Sequence, residues 1–275
     1  MIERWLLTGD CHGDFSRFKN YQKEVQKDKY TAVIILGDAG LNWTLDENDN
    51  HMKNYLSKKY KFRIYCVRGN HEARPQDVED MHLVYDDDVH GFVYMQDKWP
   101  NIRYFKDYGI YWIDGLRVVV IGGAYSVDKY YRLQNGYRWF ENEQLSKEEQ
   151  EDCLWYLRES FSDEYDLVLT HTCPISWEPT DLFLNGIDQS KVDKTMEIFL
   201  EKVKNSIRFN VWCFGHYHTD RVERPGVEQF YTDTDNLDNI IYRWTRYHEE
   251  TGELDWWLVK SPNFYMGVND DASGD

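Results

Sequence analysis

The stretch Trp5-Leu6-Leu7-Thr8-Gly9-Asp10-Cys11-His12-Gly13-Asp14 decides how this chain is read. Its apolar run has the length and character of a buried strand, and it ends in a glycine followed by two metal-type side chains. Side chains alternate along an extended segment, so Asp10 and His12 can face the same way. Alone the stretch is ordinary, because Asp and His are common in loops. Repetition of the arrangement along the chain gives it weight.

Working outward, residues 16–27 carry Phe18, Tyr21 and Val25 at helical spacing, which predicts an amphipathic helix. The run Ala32-Val33-Ile34-Ile35-Leu36 reads as a second buried strand and ends in Gly37-Asp38-Ala39-Gly40. A polar helix is expected over 46–59. A third strand, 62–67, ends in Arg68-Gly69-Asn70-His71-Glu72. Strand–helix units in succession predict a doubly wound α/β half, with functional residues at the C-terminal ends of its strands.

Beyond residue 93 short β-type runs follow one another, and Asp114-Gly115 marks a hairpin between 110–113 and 116–121. Residues 124–144 read as a loop-like aromatic and basic insertion near the site. Ser146 with Glu149 is a capping box opening a helix to about residue 160. Leu167-Val168-Leu169-Thr170 is another buried strand, ending in His171, and a helix is expected over 188–203. Val211-Trp212-Cys213-Phe214 ends in Gly215-His216-Tyr217-His218. Residues 230–231, 240–242 and 256–259 read as further strands, and 269–275 as a disordered acidic tail. With no long linker and no internal repeat, 1–268 is expected to be a single domain.

The bulk numbers set limits. The 275 residues are 41% apolar and 16% aromatic, enough for a sizeable core. No apolar run approaches the ~20 residues of a membrane span, and the chain opens directly on a strand, so neither a leader nor a membrane association is expected. A net charge of −17 argues against a surface that wraps long nucleic acid. It leaves room for a small anionic substrate, because bound cations override the global field locally. The five cysteines (Cys11, Cys66, Cys153, Cys173, Cys213) are scattered with no C-x-x-C pair, which suits a reducing, cytoplasmic setting.

Five strand ends thus present Asp10 and His12, Asp38, Asn70 and His71, His171, and His216 with His218. A mixed oxygen and nitrogen set of this size suits two borderline divalent ions: Mn²⁺ first, with Fe²⁺, Zn²⁺ or Ni²⁺ as alternatives. Two such ions need a bridging carboxylate, and Asp38 is positioned in the order of motifs to supply it. A pair of this kind can generate a hydroxide and clamp a phosphoryl group for in-line attack.

Asp-x-His, Gly-Asp, Gly-Asn-His-Glu, a lone His after a strand and Gly-His-x-His, in this order from Asp10 to His218, resemble the calcineurin-like metallophosphoesterase superfamily. The resemblance implies a four-layer α/β/β/α sandwich with two mixed sheets flanked by helices. It implies Asp10, His12, Asp38 and His218 around one metal, and Asp38, Asn70, His171 and His216 around the other. A bridging hydroxide would attack phosphorus and His71 would protonate the leaving oxygen. The protein Ser/Thr phosphatase branch adds Asp-Arg-Gly after its Gly-Asp; this chain has Ala39-Gly40-Leu41-Asn42 there. Arg68, or a basic residue of 124–144 such as Lys129 or Arg132, would then have to meet the phosphate.

The reading that follows is a metal-dependent phosphomonoesterase acting on a small phosphorylated substrate, a nucleotide being one candidate. The alternatives are a phosphodiesterase or nuclease for a nucleotide or short nucleic acid, and a non-catalytic interaction module on the same fold. Blander readings stand beside it. His51, His82, His90 and His248 match no motif and are expected to be structural or surface residues. Asp14 is as well explained by a helix start as by support of a ligand. The insertion's Tyr125, Tyr130, Tyr131, Tyr137 and Trp139 are expected mostly to pack on the sandwich. Cys11 is expected to point into the core.

Overall fold

A computed structural model describes residues 2–20, 30–160, 162–183 and 188–251. In chain order its first strands are β1 (Arg4–Thr8), β2 (Thr31–Ile35), β3 (Arg63–Cys66), β4 (His82–Asp86), β5 (Gly91–Met95) and β6 (Ile102–Phe105). There follow β7 (Tyr108–Ile113), β8 (Leu116–Ile121), β9 (Glu164–Thr170), β10 (Arg208–Phe214), β11 (Arg221–Arg224), β12 (Val227–Gln229) and β13 (Thr234–Asn236). They form two mixed sheets, ordered β13-β1-β2-β3-β6-β5-β4 and β11-β12-β10-β9-β8-β7. The centre of each is parallel: β1, β2, β3 and β6 in one, β8, β9, β10 and β12 in the other.

Alternation along these strands builds the layers. On β2, Ala32 and Ile34 face the second sheet while Val33 and Ile35 face outward toward Leu56 of the helix Glu47–Lys59. On β8, Val118 and Val120 face the first sheet, and Val119 and Ile121 face the helices Lys147–Glu159 and Thr195–Lys204. Strands apolar on both faces are what a sheet covered on both sides requires. The α/β/β/α sandwich is therefore present. Among the described residues no helix is long and apolar enough to cross a membrane.

The local signals at caps and turns hold. Asp46 accepts from the Asn48 N–H ahead of Glu47–Lys59, the Ser146–Glu149 capping box opens Lys147–Glu159, and Asp114 and Gly115 both adopt positive φ between β7 and β8. Three expectations are corrected. The helix expected over 188–203 begins only at Thr195, because Asp193 accepts from the Thr195 N–H and Asp188 caps a separate 3-10 turn, Gln189–Lys191. Residues 240–242 lie inside a helix, Leu237–Thr251, whose Leu237, Ile240, Ile241, Thr245 and His248 are buried at three- and four-residue spacing. The insertion is not all loop: Lys129–Asn135 is a helix ended by Gly136 in the left-handed region. Of the helix expected over 16–27 only Arg17–Asn20 is described, and the expectations for 256–259 and 269–275 lie outside the described residues.

Candidate metal centre

The C-terminal ends of β1, β2 and β3 from one sheet meet those of β9 and β10 from the other. Backbone bonds hold the loops together: the Leu36 N–H donates to Thr8 O (2.9 Å), the Val67 N–H to Ile35 O (2.9 Å), the His12 N–H to Asp38 O (2.7 Å) and the Gly215 N–H to His171 O (2.9 Å). Glycines set the approach. A Cβ on Gly37 would lie 1.9 Å from His171 Nδ1, and one on Gly69 would lie 1.9 Å from Asp38 Oδ1. Each Gly in the Gly-Asp and Gly-Asn-His motifs is thus a spacer of zero width.

Asp38 lies at the middle. Its Oδ1 accepts from the His71 N–H at 2.9 Å, while Oδ2 is 3.7 Å from His171 Nε2 and 3.9 Å from His12 Nε2. A carboxylate between two imidazoles from different sheets has the position a bridge needs. Asp10 is as central: Oδ1 accepts from the His216 N–H at 2.9 Å, and Oδ2 is 3.3 Å from His218 Nε2 and 3.7 Å from His12 Nε2. Burial pushes both carboxyls up, but His171 and the other imidazoles outweigh it and hold both below the ordinary carboxylate value. Burial drives His216 down to about 3, with His171 adding to the shift. The bond to Asp10 raises His218, which stacks on Tyr231 at 4.7 Å.

The polar groups here are short of protons. His171 Nδ1 lies 2.8 Å from Leu36 O, a pure acceptor, so Nδ1 carries the proton. Its Nε2 then turns a lone pair toward Asn70 Oδ1 at 2.8 Å, a second acceptor. Asn70 cannot flip to relieve this, because its Nδ2 donates to Ser126 Oγ at 2.9 Å, and Ser126 in turn donates to buried Glu143. His12 Nε2 and His218 Nε2 face each other at 2.9 Å, and among the described residues the buried Asp10 Oδ2 is met only by those same two ring nitrogens, at 3.7 and 3.3 Å. Asp10, His12 and His218 converge within 4.8 Å, as do Asp10, Asp38 and His171. Lone pairs aimed at one another across two adjoining spaces fit divalent cations well. The backbone is bent to aim them, with positive φ at His12, Asp38, His216 and His218.

His71 stands at the rim. Its Nε2 is 3.2 Å from Asn70 Nδ2 and 3.3 Å from Arg132 Nη2, both donors, so here Nε2 is an acceptor. Burial lowers its pKa, Asp38 opposes that and Arg132 reinforces it. Arg132 is held by Asp128 (Nε to Oδ2, 2.8 Å) and lies 5.8 Å from the Trp43 ring.

Arg68 is not at the cleft. Its side chain is fully buried, with Nε bonded to Asp107 and Nη1 donating to Glu143 O at 2.8 Å. A guanidinium sealed behind β3 ties the insertion to the sheet and cannot meet a phosphate. Lys129 is also turned away, 4.0 Å from the Trp139 ring. The insertion's tyrosines differ from expectation as well: Tyr125 is buried at the cleft, but Tyr130, Tyr131 and Tyr137 are more than half exposed. Asp14 accepts from the Ser16 N–H in a local turn. Cys11 packs in the core, where burial pushes its thiol up to about 12.

Several residues that serve the site have no local sequence signal. Ser126, Glu143 and Tyr231 are examples. Glu72 has one only through its place in Gly-Asn-His-Glu: it is wholly buried and accepts from the Gly40 N–H (2.9 Å), the Leu41 N–H (3.3 Å) and Tyr104 OH (2.9 Å), pinning the β2 loop to the β3 loop.

Among curated proteins no match to the sequence is found. Among solved structures, the chain is similar to the phosphopantetheinyl hydrolase of Mycobacterium tuberculosis, at 12% identity and a TM-score of 0.45 over 88% of this chain and 92% of that one. The family model for calcineurin-like phosphoesterases matches residues 4–220. That span takes in all five strand ends, and the chain belongs to the calcineurin-like phosphoesterase family, whose members are metal-dependent phosphoester hydrolases.

Proposed function

We propose that the protein is a phosphomonoesterase for a small phosphorylated substrate, with His71 as general acid, Arg132 as the anion-binding group and Mn²⁺ as the working metal. The observation that carries the reading is the Arg132–His71 contact of 3.3 Å beside the donor cluster. A monoester brings two negative charges. A guanidinium at the rim complements the charge that a diester lacks. Asp10, His12, Asp38, Asn70, His171, His216 and His218 would hold the cations, which supply Lewis acidity toward the phosphoryl oxygens and the attacking water.

The chain's own residues do the remaining work. Arg132 rests against the His71 lone pair. When Arg132 turns to a phosphoryl oxygen, Nε2 loses one of its two donors, which favours its carrying a proton for the departing alkoxide. The bond from the His71 N–H to Asp38 fixes the imidazole's origin relative to the donor cluster. Free, buried thiols at all five cysteines suit a reducing, cytoplasmic compartment.

The test is an Mn²⁺-loaded sample given an aryl phosphate and the matching bis-aryl phosphate. At least a tenfold preference in kcat/KM for the monoester is expected, and Arg132→Ala should remove most of it. Equal turnover, or a diester preference, overturns the monoesterase reading. Two variants separate metal from proton transfer. Asp38→Asn should lose both metal content and turnover. His71→Gln should keep its metal and lose about 10²–10⁴-fold on an ester with a poor leaving group, with a smaller loss on an activated aryl ester.

A further inference from the structure

The cleft of about 360 Å³ over Asp38, Asn70, His216 and His218 is also lined by side chains that the phosphate chemistry does not use. Its walls are Val127, Leu182, Phe183 and Val192, with Tyr217 between the ligands His216 and His218. Glu197, on the helix Thr195–Lys204, is among its lining residues. Only 3% of Glu197 is exposed. Its Oε1 accepts from Thr172 Oγ1 at 2.8 Å, and Thr172 Oγ1 in turn lies 3.1 Å from Tyr217 OH. The other oxygen, Oε2, is buried with no partner. An unpaired polar atom in an apolar wall lowers stability by about 1–3 kcal/mol, so its retention calls for a ligand.

The charges around the cleft say which. Asp193 and Glu197 line it with no ion-pair partner among the described residues, Asp38 being given to the metals and Asp128 to Arg132, and the one lysine or arginine among the described lining residues, Lys194, is already paired with Glu178. An acid-lined, apolar-walled pocket rejects an anionic tip and favours a cationic one.

We infer that this pocket is a leaving-group subsite for phosphate esters of amino alcohols, in which an apolar body lies between Phe183, Val192 and Tyr217 and a terminal ammonium donates to Glu197 Oε2. The inference rests on the phosphoesterase reading of the adjoining centre and adds the alcohol half of the substrate to it. Burial pushes the Glu197 carboxyl up to about 7. An ammonium partner stabilises its ionised form, as an opposite charge at contact distance does.

Tyramine and 4-ethylphenol differ only in that terminal amine, and they serve as the leaving alcohols of a matched pair of aryl phosphates. Binding of the two free alcohols is measured by calorimetry at pH 8, with and without Mn²⁺, and hydrolysis of the two esters is measured in parallel. Wild-type protein is expected to bind tyramine at least tenfold more tightly than 4-ethylphenol and to show the same preference in kcat/KM between the esters. Glu197→Leu should abolish both preferences, and Glu197→Gln, of nearly the same shape, should weaken them. Phe183→Ala, in the apolar wall, should weaken both alcohols alike. Equal binding of the two alcohols by wild type, no binding of either, or a preference that survives Glu197→Leu overturns the subsite. A preference in binding with neither ester hydrolysed leaves the subsite standing and overturns the phosphomonoesterase reading instead.

Discussion

His171 shows how much one hydrogen bond can decide. Because its Nδ1 proton is committed to Leu36 O, its Nε2 is an acceptor whether or not a cation is present. Asn70 is committed in the same way through Ser126. Ser126→Ala should therefore let the Asn70 amide turn and lower metal affinity by about 10–100-fold, as loss of a ligand's orienting partner does. The measurement is metal retention during dialysis against a graded chelator, and unchanged retention would remove Ser126 from this role. Glu197 gives a second residue-scale prediction. Its carboxyl titrates near 7 in the folded chain against 4.5 as an isolated side chain, so the fold binds the extra proton between those values. Stability from this group is then complete below about pH 4.5 and is lost as pH rises through 7. Glu197→Gln should be stabilised relative to wild type at pH 8 by ~3 kcal/mol more than at pH 4.5. Parallel denaturation profiles across that range would contradict it.

The residues legible in the sequence are those that lie within a few positions of a strand's end. An apolar run fixes where the strand stops, and Asp10, His12, Asp38, Asn70, His171, His216 and His218 follow at that edge. Ser126, Glu143 and Glu197 reach the same place from elements far away along the chain, and only the packing brings them there; Arg132 was legible only as one of several basic residues of 124–144. Arg68 illustrates the opposite error. Its neighbours in sequence are at the cleft, but its own side chain points behind β3, where Asp107 neutralises it.

Elements were legible where a local signal carries its own hydrogen bonds. The Ser146–Glu149 box is one, and it is reinforced from outside because Glu149 also accepts from Arg74 Nη2 at 3.1 Å. Ser146→Ala should cost about 1 kcal/mol, read as a lower denaturation midpoint with an unchanged slope. Elements were misread where composition stood in for periodicity. Ile240-Ile241-Tyr242 is β-branched and aromatic and so resembles a strand, yet burial recurs along Leu237–Thr251 with a helical period. Tertiary packing of Leu237, Ile240 and Ile241 into the core between the two sheets outweighs the local preference. The insertion misled for a related reason. Its tyrosines look like packing residues by type, but Tyr130 and Tyr131 sit on a seven-residue helix with no buried position.

At the scale of the whole molecule, the donors are divided between the sheets. Asp10, His12, Asp38 and Asn70 follow strands of one, and His171, His216 and His218 follow strands of the other. Any cation held there is also a rivet between two layers that otherwise meet through side-chain packing and a few hydrogen bonds, such as those from His171 to Leu36 O and from the His216 N–H to Asp10. Holding the metal and holding the sandwich shut become the same equilibrium, and each metal present at 100 times its dissociation constant adds about 2.7 kcal/mol to stability. A chelator should then lower Tm by several degrees and leave it rising again with added Mn²⁺. A cell short of the metal would have less of this enzyme folded, as well as less of it active.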